Sequence, residues 1–144
     1  MKIIVNEGKT DIEVVINCPQ MSDEIQRIIS MLNGFDKKLL GTKDKQKHII
    51  DSYDIFYFEM VDKHNFIYTE NDIFETVLKL HEVEEIFSKS GFFRNSKSQI
   101  VNIAKIQSLC PDFGGRMDLT LKNSEKLIVS RQYSKLFKER LGIK

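Results

Sequence analysis

The chain contains no tryptophan, only two prolines and only two cysteines among its 144 residues. With so little proline, and no low-complexity tract or internal repeat, nothing marks a linker between independent domains. Cys18 and Cys110 stand far apart and form no CxxC pair, which excludes a zinc knuckle or a disulfide framework and leaves two small apolar residues suited to a reducing compartment. No apolar run approaches the roughly 18 residues of a membrane-spanning helix. The start, Met1-Lys2-Ile3-Ile4-Val5-Asn6-Glu7, lacks the long apolar stretch and small-residue cleavage site of a secretory signal, so a cytoplasmic location is expected. Catalytic signatures are missing too. His48, His64 and His81 have no metal-ligand spacing, and there is no HExxH, no GxSxG and no phosphate-cradling glycine loop. Asp51, Asp54, Glu59 and Asp62 do not make a carboxylate site, because strand alternation sends Asp51 and Asp62 to opposite faces and leaves Glu59 a structural role. The expectation is a protein that is not an enzyme, with no cofactor, no metal and no small-molecule substrate.

Enough apolar material is present for a real core: 41% of residues are hydrophobic and 10% aromatic. The net charge of +1 hides a division. Residues 1–85 carry 10 Lys/Arg against 17 Asp/Glu, or −7, whereas residues 86–144 carry 12 against 4, or +8. An asymmetry of that size predicts a localised cationic face.

Residues 1–37 read as a β-β-α extension. Ile3-Ile4-Val5 and Ile12-Glu13-Val14-Val15-Ile16 suggest two short strands about Glu7-Gly8-Lys9. Ile25, Ile28, Ile29 and Leu32 then form a helical stripe that starts near Ser22 and stops at Asn33-Gly34. Residues 38–144 are strand-rich. Ile55–Val61 and Phe66–Thr69 are aromatic and β-branched strands joined by Asp62-Lys63-His64-Asn65. Leu80, Val83 and Phe87, supported by Val77 and Ile86, predict a helix at about 75–88. Met117, Leu119 and Leu121 alternate, and Lys122-Asn123-Ser124-Glu125 turns the chain into Leu127-Ile128-Val129. A short amphipathic helix bearing Tyr133, Leu136, Phe137 and Leu141 closes the chain.

The densest information lies in Phe92-Phe93-Arg94-Asn95-Ser96-Lys97-Ser98-Gln99-Ile100-Val101-Asn102 and the Ile103-Ala104-Lys105-Ile106 that follows. Cationic, amide and hydroxyl side chains are crowded between apolar anchors with no acid among them. A segment like this can be pinned at both ends while offering donors to phosphate and base edges. The block resembles the signature of the LytTR DNA-binding domain, FFR-x-x-(R/K)-S-x-(I/V)-VN-x-x-x-I. The resemblance extends over residues 38–144 through Tyr57-Phe58-Glu59, Gly115-Arg116-Met117 and Leu127-Ile128-Val129-Ser130-Arg131-Gln132-Tyr133. It implies a mainly β, β-rich α+β fold of small packed antiparallel sheets with short helices, binding double-stranded DNA through loops. A helix-turn-helix is disfavoured independently, since the basic half shows no two adjacent helical stripes.

The resemblance also implies particular contacts. Arg131, with Gln132 beside it, closes a strand at Ser130-Arg131-Gln132, begins a loop before the last helix and would read a base; arginine suits the O6 and N7 of guanine. Lys97, in the Asn95-Ser96-Lys97-Ser98 turn, would enter another groove, and whether it touches base or phosphate is open because relatives carry an amide or arginine there. Asn95, Ser96 and Ser98 can donate to phosphate or simply form the turn. His64, with Lys63, would contact DNA from the tip between two strands, and Arg116 would add a backbone contact. Asn102 is expected to make a structural hydrogen bond. The expected function is a sequence-specific bacterial transcriptional regulator binding repeated half-sites as a homodimer. The 40 or so residues that precede the domain are too few for a receiver domain, and the resemblance to short standalone members implies a small multi-pass membrane protein as a further partner. The alternative is a module of the same fold that binds a membrane protein or another regulator rather than DNA.

Overall fold

A computed structural model describes residues 1–35, 37–87 and 90–143. Ten strands and three helices follow one another: α1 (Asp23–Phe35), β1 (Lys38–Lys43), β2 (Gln46–Asp51), β3 (Tyr57–Val61), β4 (His64–Tyr68), β5 (Ile73–Thr76), α2 (Leu80–Ile86), β6 (Phe92–Ser96), β7 (Gln99–Asn102), β8 (Ile106–Pro111), β9 (Met117–Leu121), β10 (Lys126–Val129) and α3 (Arg131–Leu141). All strand pairs are antiparallel. Seven strands form one sheet in the order β2-β1-β5-β4-β3-β7-β6, and β10-β9-β8 form a second. The expected fold class, mainly β with short helices, is what the chain adopts.

The large sheet is covered on both faces around β3 and β7, where its alternating side chains feed two cores, while Leu40, Ile49 and Ile73 of the outer strands are exposed. Leu39, Ile50, Phe58, Ile67, Phe74 and Ile100 meet Leu80, Val83 and Phe87 of the α2 segment on one face. Tyr57 and Val101 point the other way, onto Met117, Leu119, Leu121, Leu127 and Val129 of the small sheet and Phe137 of α3. The alternation expected of Met117, Leu119 and Leu121 is realised, each at most 1% exposed. Gly41 of β1 is required by the first core: a Cβ there would lie 2.6 Å from Cβ of Phe74.

Several local expectations are corrected. No strand forms at residues 3–5 or 12–16; residues 1–22 carry no regular element, and Ile3, Ile4, Val5, Ile12, Val14 and Val15 are exposed. A two-stranded hairpin with no further strand or core to cover it is marginal in water. Helix α1 exists but runs through Asn33-Gly34 to Phe35. The predicted helix at 75–88 is shorter, beginning at Leu80, because residues 73–76 pair with β4 as a strand; Val77 is 96% exposed, and residue 88 lies outside the described residues. Leu136 faces solvent on α3, whose buried side is Ser134 and Phe137.

A polar chain runs between the sheets. Tyr57 and Tyr68 stack at 4.2 Å; Tyr57 Oη donates to Glu125 Oε2 (2.7 Å) and Tyr68 Oη to Glu59 Oε1 (3.1 Å). Gln99 Nε2 donates to the other oxygen of Glu59, at 2.6 Å. Glu59 thus has the structural role expected of it. Burial first, and then the Glu59 carboxylate, push the Tyr68 hydroxyl up to about 12, and burial with Glu125 raises Tyr57 further. Raised phenol values mean the folded state holds these protons more tightly, so this stabilisation is complete below the ordinary tyrosine value of about 10 and is lost as pH rises above it. Urea midpoints are therefore expected to be flat from about pH 8 to 9.5 and to fall between about pH 10 and 12, less steeply in Tyr68→Phe. Equal slopes in wild type and Tyr68→Phe would remove Tyr68 from this account.

Candidate nucleic-acid interface

Two hairpin turns emerge side by side at one end of the large sheet. Glu59 of β3 is registered with Gln99 of β7, and Met60 N donates to Ser98 O at 2.8 Å, so the β3–β4 and β6–β7 turns are neighbours. The first turn is tighter than the expected four-residue tip: only Asp62 and Lys63 connect the strands, both left-handed (φ 49° and 67°). Neither is glycine, so the hairpin carries backbone strain in these two residues. Lys63 is exposed at its apex. His64 is the first residue of β4, opposite Val61, and its exposed ring places Nδ1 2.8 Å from Glu75 Oε1, leaving Nε2 for a further partner.

The second turn presents Lys97, which is exposed. Ser96 and Ser98 are half-buried and engaged with each other: Ser98 N donates to Ser96 Oγ (3.2 Å), and the two hydroxyls lie 3.4 Å apart. Turn formation therefore already occupies part of their donor capacity. Arg94, which the sequence reading left without a role, holds this turn from behind. Its Nε donates to Ser96 O (3.0 Å), its Nη2 to Lys97 O (2.5 Å), and its Nη1 pairs with Glu84 of α2.

Asn95 is corrected. It was expected among the outward donors, but it is fully buried. Its position is a β-bulge, since the β6–β7 register shifts between Arg94 and Ser96, and by alternation it shares the face that Phe93 gives to the small sheet. There Nδ2 donates to Gln99 Oε1 (2.9 Å) and to Ile128 O of β10 (3.0 Å), while Asn95 O accepts from Ser130 N (2.8 Å). Asn102 takes its expected structural place, donating to Ile55 O (2.8 Å) and accepting from Ala104 N (3.1 Å).

Through Asn95, the Lys97 turn is tied to the start of α3. Ser130 is the single residue between β10 and α3, so Arg131 is the first helical residue instead of part of a loop, with Gln132 exposed beside it. The Arg131 stem lies against Gly115: a Cβ at Gly115 would come within 3.3 Å of Arg131 Cγ. Gly114 and Gly115 are both left-handed (φ 75° and 82°), which carries the Phe113–Gly115 turn under Arg131. Arg116, next in the chain, is exposed with Nη2 3.6 Å from Asp112 Oδ2. Lys97 and Arg131, with Lys63–His64 and Arg116 flanking, thus sit on segments joined by direct hydrogen bonds or contact. The sequence had no signal for the bulge or for Glu84 as partner of Arg94, ten residues upstream.

Asn95→Ala removes both side-chain donors and strands the Ile128 carbonyl, so a destabilisation of about 1–3 kcal/mol is expected in urea unfolding. A midpoint unchanged from wild type would show that the inter-sheet tie is dispensable.

Comparison with known proteins agrees with this geometry. Residues 45–142 match the family model of the LytTr DNA-binding domain. Two Staphylococcus aureus proteins, each named as an HTH-type transcriptional regulator, are 35% and 34% identical over 145 residues, covering 99% of this chain and 98% of theirs. Helix-turn-helix does not describe the fold here, since strands separate every pair of consecutive helices among the described residues. A solved LytTr DNA-binding domain of a putative methyl-accepting/DNA response regulator from Bacillus cereus superposes with a TM-score of 0.72 at 25% identity, over 75% of this chain and 99% of that one. No helix among the described residues is long and apolar enough to cross a membrane. The chain belongs to the LytTR DNA-binding domain family.

Proposed function

We propose that this DNA-binding protein regulates transcription by reading specific double-stranded sites with three presented segments: Lys63–His64, Lys97, and Arg131 with Gln132 and Arg116. The observation that carries the reading is the hydrogen-bonded convergence of the Lys97 turn and the N-terminus of α3, both from the basic residues 86–144, with the Lys63–His64 hairpin beside them. Arg131 has a stem braced by Gly115 and a free fork, which suits bidentate contact with a guanine, worth about 1–3 kcal/mol of discrimination. Lys97 supplies a point charge to base or phosphate. Ser96 and Ser98 stay in the interface as turn-builders whose remaining hydroxyl capacity can reach phosphate.

Loops entering successive grooves favour a bent site, so deformable steps between the contacts contribute to selectivity. One such domain covers limited DNA, and two copies on repeated half-sites supply the rest. Residues 1–37 are the proposed contact between copies or with a small multi-pass membrane protein. What supports this is a run of exposed β-branched residues, Ile3, Ile4, Val5, Ile12, Val14 and Val15, with no intramolecular core to join. A cytoplasmic location fits a DNA partner.

Selection from a random duplex library at near-physiological salt, followed by fluorescence anisotropy, should return a motif with repeated half-sites. Arg131→Ala should weaken binding by about 10-fold or more and relax the preference at one base position, while Lys97→Ala weakens it with less loss of sequence preference. Weak, salt-steep binding with no enriched motif would instead favour the same fold acting as a protein-interaction module. Deleting residues 1–35 should lower the number of copies per DNA given by sedimentation; an unchanged number together with unchanged partner binding refutes the role given to that segment.

A further inference from the structure

We infer that Arg94 is a positioning residue for DNA recognition: its guanidinium, anchored on Glu84, clamps the Ser96 and Lys97 carbonyls and so fixes the turn that carries Lys97. The inference rests on the reading that this turn meets DNA, and it assigns work to two residues that do not touch DNA themselves.

The geometry uses the guanidinium almost fully. Nε donates to Ser96 O at 3.0 Å and Nη2 to Lys97 O at 2.5 Å, while Nη1 pairs with Glu84. Two successive carbonyls bound by one planar fork fix the peptide between them, and that peptide belongs to Lys97. The Arg94 side chain is only 21% exposed, so the fork is not a surface cation waiting for phosphate. Its place follows from the strand: Arg94 pairs with Ile100 and points to the α2 face, whereas the bulge at Asn95 turns the chain over before Ser96. The turn is therefore gripped from both sides, by Arg94 on the α2 face and by Asn95 on the small-sheet face. Without Arg94, the turn keeps the Ser96–Gln99 strand pair, the contacts between Ser96 and Ser98 and the Met60–Ser98 backbone bond, none of which holds the Lys97 carbonyl. A lysine at 94 cannot replace the fork, because one ammonium cannot span both carbonyls and Glu84 in a plane. Holding a reading side chain in place before DNA arrives reduces the ordering lost on binding, which is how a residue away from the interface raises affinity.

The test compares Arg94→Gln, Arg94→Lys and Glu84→Gln in the full-length protein, using anisotropy on the selected site and amide hydrogen exchange without DNA. Arg94→Gln and Arg94→Lys are both expected to weaken specific binding by about 10-fold, and Glu84→Gln by about 3-fold, with the salt slope unchanged. In the Lys97→Ala background Arg94→Gln should add almost nothing, since both act through one turn. The Lys97 and Ser98 amides should exchange faster in all three variants, and those of β3 and β4 should not. A salt slope reduced by about one, with Arg94→Lys restoring affinity, would make Arg94 a phosphate contact and overturn the clamp. So would additivity with Lys97→Ala, or wild-type affinity and exchange in Arg94→Gln. Should Arg94→Gln fail to fold, Glu84→Gln, an exposed substitution, carries both readouts. If Lys97→Ala alone binds like wild type, the DNA role of the turn falls; faster exchange in the Arg94 variants then still sustains the clamp, and unchanged exchange overturns it.

Discussion

The hydrogen bonds of Asn95, at a bulge in β6, are the constraint on which the proposed reading surface depends. Asn95 lies two residues after Phe93, on the same face toward the small sheet, and there it makes the bonds to Ile128 and Ser130, while the extra residue leaves Ser96 opposite Gln99. Those bonds join the small sheet to the end of the large one, where Lys97 turns, and they place the first turn of α3 beside it. Two cores alone would hold the sheets together but would not set their register to within a hydrogen bond. Apolar packing is non-directional; a buried asparagine with two side-chain bonds and one through its backbone carbonyl is not.

The polar residues between the sheets extend this logic. Asn95 bonds Gln99, Gln99 bonds Glu59, and Glu59 accepts from Tyr68, which stacks on Tyr57 with its own bond to Glu125. Both oxygens of Glu59 accept a hydrogen bond, so this carboxylate sits between the sheets without being left unpaired, whereas the Oδ1 of Asn95 is buried with no partner. The presented cations then need no partners in the protein. Lys97 and Arg131 make no ion pair among the described residues, and Arg116 has a loose pairing with Asp112. The strain at Asp62–Lys63 is not by itself a mark of function, because Asp44–Lys45 in the β1–β2 turn has the same left-handed pair.

Much of the scaffold was legible in the sequence. Met117, Leu119 and Leu121 announce a strand with one buried face, and Tyr57-Phe58-Glu59 announces one buried on both, because side-chain period is a local property. The Asn102 hydrogen bond was also foreseen, since a polar residue after buried Val101 must find a partner. Where the reading failed, the deciding partner lay far along the chain. Residues 75 and 76 look helical beside Leu80 and Val83, but pairing of 73–76 with β4 makes them a strand. Asn95 looks like a turn residue because bulges leave no mark in composition, and its partners Ile128 and Ser130 are more than 30 positions away. The N-terminal β-branched runs look like strands, yet no third strand or core receives them.

The central claim is that DNA is met by fixed turns and the first residues of α3 instead of by a helix laid in a groove. Amide chemical-shift mapping with the selected duplex tests it most directly. The account predicts that the largest changes cluster at residues 62–64, 96–98, 115–116 and 130–132, with the exposed faces of α2 and of the body of α3 nearly silent. Perturbations running along one face of α2 or α3, and absent from those turns, would contradict it.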